Sequence, residues 1–376
     1  MDNNIYLLYL NESDMIAAGV ENMPLCINIM EEMFKLLSAG DYLMGGPSGN
    51  EHGIRVSFPK ESSINGMPLS KPDYRFMAMP AYLGGKFHSF GIKTYGSNPA
   101  NKEFNLPRSI LMMQLLDVDS GVPLSYMSAN ILSAMRTGAV TGLGCKYFCN
   151  KDAKVLTIIG PGVMGKYALN AFMCCGIDFE TIKIKGRGKS SLNKFVEYVK
   201  ESYPSIKNID ICDSYEEACK DSDLIYYGTT NATNYDDNPF IEEKWVKEGA
   251  TIISASALLV KPDFLKKCKL VADNYKMYEG WGAGNPYPTQ KTVSTLLGMG
   301  FYDAVCANYI SRSDIYDLGD ILVNGTQVRE SKKDIIMYSV GGMPVEDVAW
   351  AFIVYNYAKT HGIGKKLKLW DSSALV

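Results

Sequence analysis

The chain has 376 residues, room for about two domains of ~150 residues each, and its 47% apolar and 21% charged content is that of an ordinary globular protein. The formal net charge of −3, with no Lys/Arg block long enough to track a phosphate backbone, argues against a nucleic-acid partner. The longest apolar runs fall far short of the ~20 residues that span a bilayer, so no membrane association is expected. Nine cysteines lie scattered without a Cys-x-x-Cys pair, and Met1-Asp2-Asn3-Asn4 does not read as a secretory leader. Reduced thiols in the cytoplasm are therefore the expectation. His52, His88 and His361 lack ligand spacing, so no metal site is expected and acid–base chemistry falls to Lys, Asp or Glu.

In chain order, residues 27–37 place Ile27, Met30, Met33, Phe34 and Leu37 on one stripe of an amphipathic helix. Residues 54–58, 75–79, 87–95 and 109–118 alternate with the two-residue period of strands, separated by Gly, Pro and Asn. Together they predict an antiparallel α+β layer. Residues 131–148 form a long helical pattern rich in Ala and Gly. Apolar strands at 155–159, 181–184, 223–227 and 251–254 then alternate with helical stretches, which implies a parallel sheet with crossovers. The segment 334–369 predicts a strand, a glycine turn and a helix at 345–360 that return to the first domain. The basic run Lys365-Lys366-Leu367-Lys368 reads as a solvated helix end.

The fold class is thus α/β: a Rossmann-type parallel-sheet domain at 131–319, plus an α+β substrate and dimerisation domain with an antiparallel sheet at 1–130 and 320–376. The strongest local signal is Gly160-Pro161-Gly162-Val163-Met164-Gly165, which follows an apolar strand and opens a helix at 167–175. Gly160 permits the tight turn and Gly162 lets backbone approach a pyrophosphate. Gly165 lets helix and strand pack closely, with helix N–H groups facing the phosphates. The second strand runs into Lys185-Gly186-Arg187-Gly188-Lys189-Ser190, with no acid to grip a ribose 2′-hydroxyl. Arg187, Lys189 and Ser190 suit a 2′-phosphate instead, so NADP(H) is preferred over NAD(H). Thr229-Thr230-Asn231, after the next strand of the series, suit either cofactor contact or an ordinary loop start.

Several stretches occur in a set order: Met79-Pro80-Ala81, Gly91-Ile92-Lys93, Asn98-Pro99, Asp117-Val118-Asp119-Ser120-Gly121-Val122-Pro123-Leu124, Met135-Arg136-Thr137-Gly138-Ala139, the Gly160 turn, and Ser339-Val340-Gly341-Gly342-Met343-Pro344-Val345-Glu346-Asp347. This series resembles the ornithine cyclodeaminase / mu-crystallin family over nearly the whole chain. The resemblance implies a homodimer whose first domain supplies the dimer-forming antiparallel sheet and the substrate site. It implies that Arg55 and Arg136 hold the substrate carboxylate, that Lys93 faces the reacting carbon, and that Ser339 and Gly341 lie beside nicotinamide and substrate. It also implies cofactor contacts at Ser109 and Thr137. The chemistry is sensible in itself: an arginine fork binds a carboxylate through two hydrogen bonds, and a lysine in a dry pocket exchanges protons near neutral pH.

The chain also departs from the family pattern. Counting from the strand at 251–254, Leu259 falls where cyclodeaminases carry a catalytic aspartate, and only a shifted loop brings in Asp263. Residues 61–72 lengthen a connection. Residues 275–287 read as an aromatic, glycine-rich loop, either a lid or a dimer surface. The expected function is an NADP-dependent imine reductase or amino-acid (opine-type) dehydrogenase acting on a small amino-acid or imine substrate. The alternatives are an ammonia-releasing ornithine cyclodeaminase and a non-catalytic, NADPH-dependent ligand-binding protein of crystallin type.

Overall fold

The computed structural model describes residues 4–71, 73–230, 232 and 234–375. The chain forms two units, one of Met1–Asn22, Ala39–Arg136 and Met343–Val376, the other of Met23–Ser38 and Thr137–Gly342. The first unit opens with β1 (Ile5–Leu10) and α1 (Glu12–Ala17), which Asn11 and Asp14 close with a reciprocal capping box. After β2 (Tyr42–Met44) and β3 (Ile54–Val56), the long strands β4 (Arg75–Leu83), β5 (Ser89–Ser97) and β6 (Ser109–Asp117) form an antiparallel meander that ends in β7 (Pro123–Ser128). Alternation puts Met79, Ala81 and Leu83 of β4 on the buried face, with Ser89, Gly91 and Lys93 of β5 beside them. The stretch 61–72 belongs to the connection from β3 to β4, and its last residue, Pro72, lies outside the described residues.

The second unit begins with α2 (Met23–Ala39), whose buried stripe contains the five residues expected from its period. α3 (Asn130–Phe148) runs from one unit into the other. The parallel sheet is built from β8 (Val155–Ile159), β9 (Thr181–Lys185), β10 (Asn208–Ile211), β11 (Leu224–Tyr227), β13 (Thr251–Ser254), β15 (Lys269–Ala272), β16 (Ile315–Asp317) and β17 (Ile336–Ser339), in the order β10-β9-β8-β11-β13-β17-β15-β16. Every residue of β11, β13 and β17 is buried, as expected for parallel strands covered on both faces. β12 (Phe240–Ile241) and β14 (Leu259–Val260) pair separately. The helices are α4 (Val163–Met173), α5 (Lys189–Ser202), α6 (Tyr215–Cys219), α7 (Pro262–Leu265), α8 (Tyr275–Gly282), α9 (Thr289–Thr292), α10 (Leu297–Cys306) and α11 (Leu318–Asn324).

The chain then returns to the first unit with α12 (Pro344–His361) and β18 (Lys365–Trp370). α12 is buried on all sides from Pro344 to Ala351, so it is a core helix rather than an amphipathic one. Val348 meets Gly91, the Phe352 ring stands 5.7 Å from Phe87, and Trp350 donates its indole N–H to the Val20 carbonyl. The sheet runs β18-β1-β7-β6-β5-β4-β2, with β3 also on β4, and β1 lies parallel to β7.

Three expectations change here. Lys365 to Lys368 are not a helix end but part of edge strand β18, antiparallel to β1, with the Lys366 ammonium 4.2 Å from the Tyr6 ring centroid. Edge strands carry such charges because they deter pairing with another chain. Residues 23–38 and 320–342, placed by sequence with the first domain, lie in the second unit, the latter with β17 held between β13 and β15, and residues 131–136, placed with the second domain, lie in the first unit. Residues 275–287 are not simply a loop: α8 takes up the first eight, with Tyr275, Met277 and Tyr278 buried.

Helix α3 packs closely on α4, where a side chain on Gly138 would come 2.6 Å from the Tyr167 carbonyl oxygen. Helix propensity alone favours Gly138→Ala by about 1 kcal/mol, whereas overpacking costs about 1–3 kcal/mol. Crowding against backbone wins, so urea unfolding is expected to show Gly138→Ala less stable than the parent. An equal or higher midpoint contradicts the close approach.

Candidate active site

Two polar centres stand out, one in each unit. In the first unit the Lys93 side chain points from β5 toward the start of α12, and its surroundings are charged rather than apolar. Its Nζ donates to Asp347 Oδ2 at 2.6 Å and to Ser133 Oγ at 3.2 Å. Arg136, on α3, donates from Nε to Asp347 Oδ1 at 3.0 Å and from its NH1 nitrogen to Glu346 Oε2 at 2.5 Å. Lys93 and Arg136 are 2% and 5% exposed, and both acids are fully buried. Two cations thus face two anions with no net formal charge, the arrangement that makes buried ions tolerable.

Burial, helped by the Arg136 charge, lowers the Lys93 ammonium to about 8, against the pull of Asp347 and Glu346 in the other direction. Burial also works against the Arg136 guanidinium, but Asp347 and Glu346 outweigh it and hold that group above its ordinary range. The expected role of Arg136 changes accordingly. Its Nε and both terminal nitrogens bond Asp347, Glu346 and Ser133, so the protein's own carboxylates occupy the fork expected to hold substrate. Arg55 differs: it is exposed on β3, directly opposite Met77 and therefore on the Lys93 face of the sheet. Ser109, expected at the cofactor, donates to Ser97 Oγ at 3.0 Å within that sheet.

In the second unit, strand register puts Lys185, Ile159, Tyr227, Ser254, Ser339 and Ala272 in one row at the carboxyl ends of six neighbouring strands. The glycine turn follows β8 directly. Gly160 has φ +100°, and a side chain there would lie 2.5 Å from the Gly228 carbonyl oxygen. A side chain on Gly165 would lie 2.6 Å from the Gly160 carbonyl oxygen, whereas one on Gly162 would meet open space. Gly162 is the N-cap of α4 and supplies no side-chain cap to the helix's first-turn N–H groups, and the space beside it is open. The helix starts at Val163, four residues earlier than expected.

Gly186, the residue before Arg187, packs on Pro161 of the turn. Arg187, Lys189 and Ser190 are exposed, the last two in the first turn of α5. The Thr229 N–H donates to Ser256 Oγ at 3.0 Å, Thr230 is exposed, Thr137 is half-buried in α3, and Asn231 lies outside the described residues. This cradle fits a dinucleotide pyrophosphate: it has an open glycine, uncapped helix N–H groups and a position at the strand-order reversal between β8 and β11.

Asp273, which sequence reasoning missed, organises the far end of the row. It accepts N–H bonds from Gly341 at 2.6 Å, Gly342 at 3.3 Å and Asn274 at 2.9 Å, and the Tyr278 hydroxyl at 2.9 Å. Burial lifts its carboxyl to about 6, partly offset by those hydrogen bonds. The expected substrate contacts Ser339 and Gly341 belong to this network. Ser339 Oγ is fully buried, bonded to the Gly298 N–H at 2.8 Å and the Tyr278 hydroxyl at 3.0 Å, and the Gly341 N–H is taken by Asp273. Their polar groups shape the turn instead of reaching for a ligand. Leu259 lies in β14, and Asp263 sits in the first turn of α7. Among the described residues no group of three or more His, Cys, Asp or Glu is placed to hold a metal, and no helix is long and apolar enough to cross a membrane.

Removing one partner from a buried ion cluster typically costs about 3–5 kcal/mol, because the others are left uncompensated. Asp347→Asn is expected to lose stability on that scale in chemical denaturation. Asp152→Asn, at an exposed pair with Lys332, should leave the midpoint within error. Similar midpoints for the two variants would contradict the buried, mutually compensated cluster.

The ornithine cyclodeaminase/mu-crystallin family model matches residues 20–362. N-((2S)-2-amino-2-carboxyethyl)-L-glutamate dehydrogenase of Staphylococcus aureus is 26% identical over 371 residues, covering 98% of this chain and 100% of that protein. Alanine dehydrogenase of Archaeoglobus fulgidus is 26% identical over 353 residues, covering 92% and 94%. Among solved structures, Thermococcus litoralis Δ1-pyrroline-2-carboxylate reductase, in complex with NADH and L-proline, superimposes with a TM-score of 0.76 at 23% identity, covering 96% of this chain and 100% of that one. The chain belongs to the ornithine cyclodeaminase/mu-crystallin family.

Proposed function

We propose that this protein is a nicotinamide-dependent oxidoreductase that interconverts an α-amino acid and its imine, with NADP(H) preferred over NAD(H). The observation that carries the reading is Lys93: a buried amine with a balanced charge environment and an ammonium lowered to about 8, in a chain that also has a dinucleotide cradle. The relatives named above are, by name, an N-((2S)-2-amino-2-carboxyethyl)-L-glutamate dehydrogenase, an alanine dehydrogenase and a Δ1-pyrroline-2-carboxylate reductase.

When bound, the nicotinamide supplies or accepts the hydride at the carbon that bears the nitrogen. Neutral Lys93 takes a proton from the substrate in the oxidative direction, and the ammonium returns it in the reductive one. Arg55 grips the α-carboxylate through its exposed fork. Arg136 acts behind Lys93, holding Asp347 in place and lowering the lysine's proton affinity. Arg187, with Lys189 and Ser190 at the first turn of α5, favours a 2′-phosphate at the rim of the cradle. Leu259 offers no carboxylate for ring closure, which weighs against a cyclodeaminase. The outer face of the first unit's sheet, with Ile54, Val56, Phe76 and Ile110 exposed, supports a homodimer formed across it.

With the neutral lysine as acceptor, the oxidative rate should rise with pH through about 8, and the reductive rate should fall over the same range. Lys93→Met should lower turnover by about 10²–10⁴-fold. A flat profile from pH 7 to 9, or a variant as fast as the parent, would reject the assignment. Fluorescence titration tests the cofactor preference. Arg187→Ala with Lys189→Ala should weaken NADPH by about 10–100-fold, the scale of lost charge-assisted hydrogen bonds, while leaving NADH unchanged. Equal parent affinities for the two cofactors would contradict it.

A further inference from the structure

The first unit's sheet has a second cationic feature on the face that carries Lys93. Register places three rows side by side on that face: Met79–Lys93–Met113, then Arg55–Met77–Tyr95–Leu111, then Arg75–Ser97–Ser109. Helix α12 covers the face from the Lys93 row toward Phe87, through Asp347, Val348 and Phe352. Arg75 thus stands two rows from Lys93, about 13 Å along the strand, on the side away from α12. Its guanidinium lies 5.8 Å from the Tyr95 ring centroid, which brings it back over the intervening row.

Arg75 donates to Asp73 Oδ1 at 2.8 Å, and Arg108, at the foot of β6, reaches Asp73 Oδ2 at 3.4 Å. One carboxylate faces two guanidiniums, so this trio carries one formal positive charge in excess, unlike the balanced cluster at Lys93. Arg75 and Asp73 are largely buried and Arg108 is 39% exposed, so the excess charge is partly withdrawn from water yet within reach of a ligand. A planar, braced pair of guanidiniums suits a second carboxylate better than a flexible lysine would.

We propose that Arg75 and Arg108, braced by Asp73, form a distal carboxylate subsite on the Lys93 face, so that the substrate is an amino or imino acid whose carbon chain ends in a second carboxylate. This rests on the oxidoreductase reading above and narrows its substrate class. Arg55 then holds the α-carboxylate in the middle row, the reacting carbon lies at Lys93, and the second arm runs across Tyr95 to Arg75.

Two keto acids of equal length isolate the subsite: 2-oxoglutarate, and 2-oxopentanoate, in which a methyl replaces the distal carboxylate. Binding of each to the enzyme loaded with oxidised cofactor is measured by calorimetry. The expected result is at least a tenfold preference for 2-oxoglutarate. In Arg75→Gln/Arg108→Gln the preference should fall close to one, and in Arg108→Gln alone, at the more exposed position, part of it should be lost. Thermal melting of each variant checks that it is folded. Equal affinities in the parent, or a preference that survives in the folded double variant, overturn the subsite. NADPH-dependent reduction of either keto acid by the parent in the presence of an amine donor separates the two readings. Turnover without the keto-acid preference removes only the subsite, and neither turnover nor preference removes both.

Discussion

Four buried charges that cancel tie a strand and two helices together in the first unit's interior. Lys93 comes from a strand, Arg136 from α3, and Glu346 with Asp347 from the first turn of α12. Each taken alone would be too costly to bury; together they satisfy one another through hydrogen bonds of 2.5–3.0 Å. The same balance makes the lysine useful. A buried lysine with no counter-charge would be held neutral, and one with an anion and no opposing cation would stay charged. Asp347 on one side and Arg136 on the other leave it able to exchange a proton close to neutral pH.

The second unit follows a different logic, in which backbone geometry shapes one edge of the sheet. The row of carboxyl-end residues from Lys185 to Ala272 sets the start of the loops after six of the sheet's eight strands. Glycine allows those loops to crowd: Gly160 against Gly228, and Gly165 against Gly160. Asp273 does for the Val340–Gly342 turn what a helix cap does for a helix, gathering the N–H groups of Gly341 and Gly342 on one buried carboxylate. Tyr278 and Ser339 extend that hydrogen-bonded chain to the N-terminus of α10 at Gly298.

Local patterns carried a large part of this in the sequence itself. The apolar run from Val155 to Ile159 and the glycine spacing after it specify strand, turn and helix within a dozen residues. The alternation in β4, β5 and β6 is equally local. What could not be read was whatever depends on distant pairing. Glu346 and Asp347 look like ordinary acids in a helix's first turn, a place where they are favoured electrostatically. Nothing nearby reveals that Lys93, 254 positions away, meets one of them. Arg136 was legible as a functional cation but not as an occupied one, for the same reason. β18 was hidden because its lysines belong to an edge strand, where charge masks the strand pattern. Asp273 follows an apolar strand like any loop acid, and only the returning turn after β17 makes it central. α8 was obscured by its glycines and aromatics, whose burial against α10 and the Val340–Gly342 turn favours the helix over local propensity.

The claim on which the account turns is the protonation of one side chain. Carbon-13 dimethylation of the lysines, with Lys93→Arg used to assign the Lys93 resonance, allows its titration to be followed by NMR without substrate or cofactor. A midpoint near pH 8 is predicted, well below the ordinary lysine value of 10.5. A midpoint at that ordinary value would mean that the amine is not held in a desolvated, balanced cluster, and the proposed chemistry would lose its proton carrier.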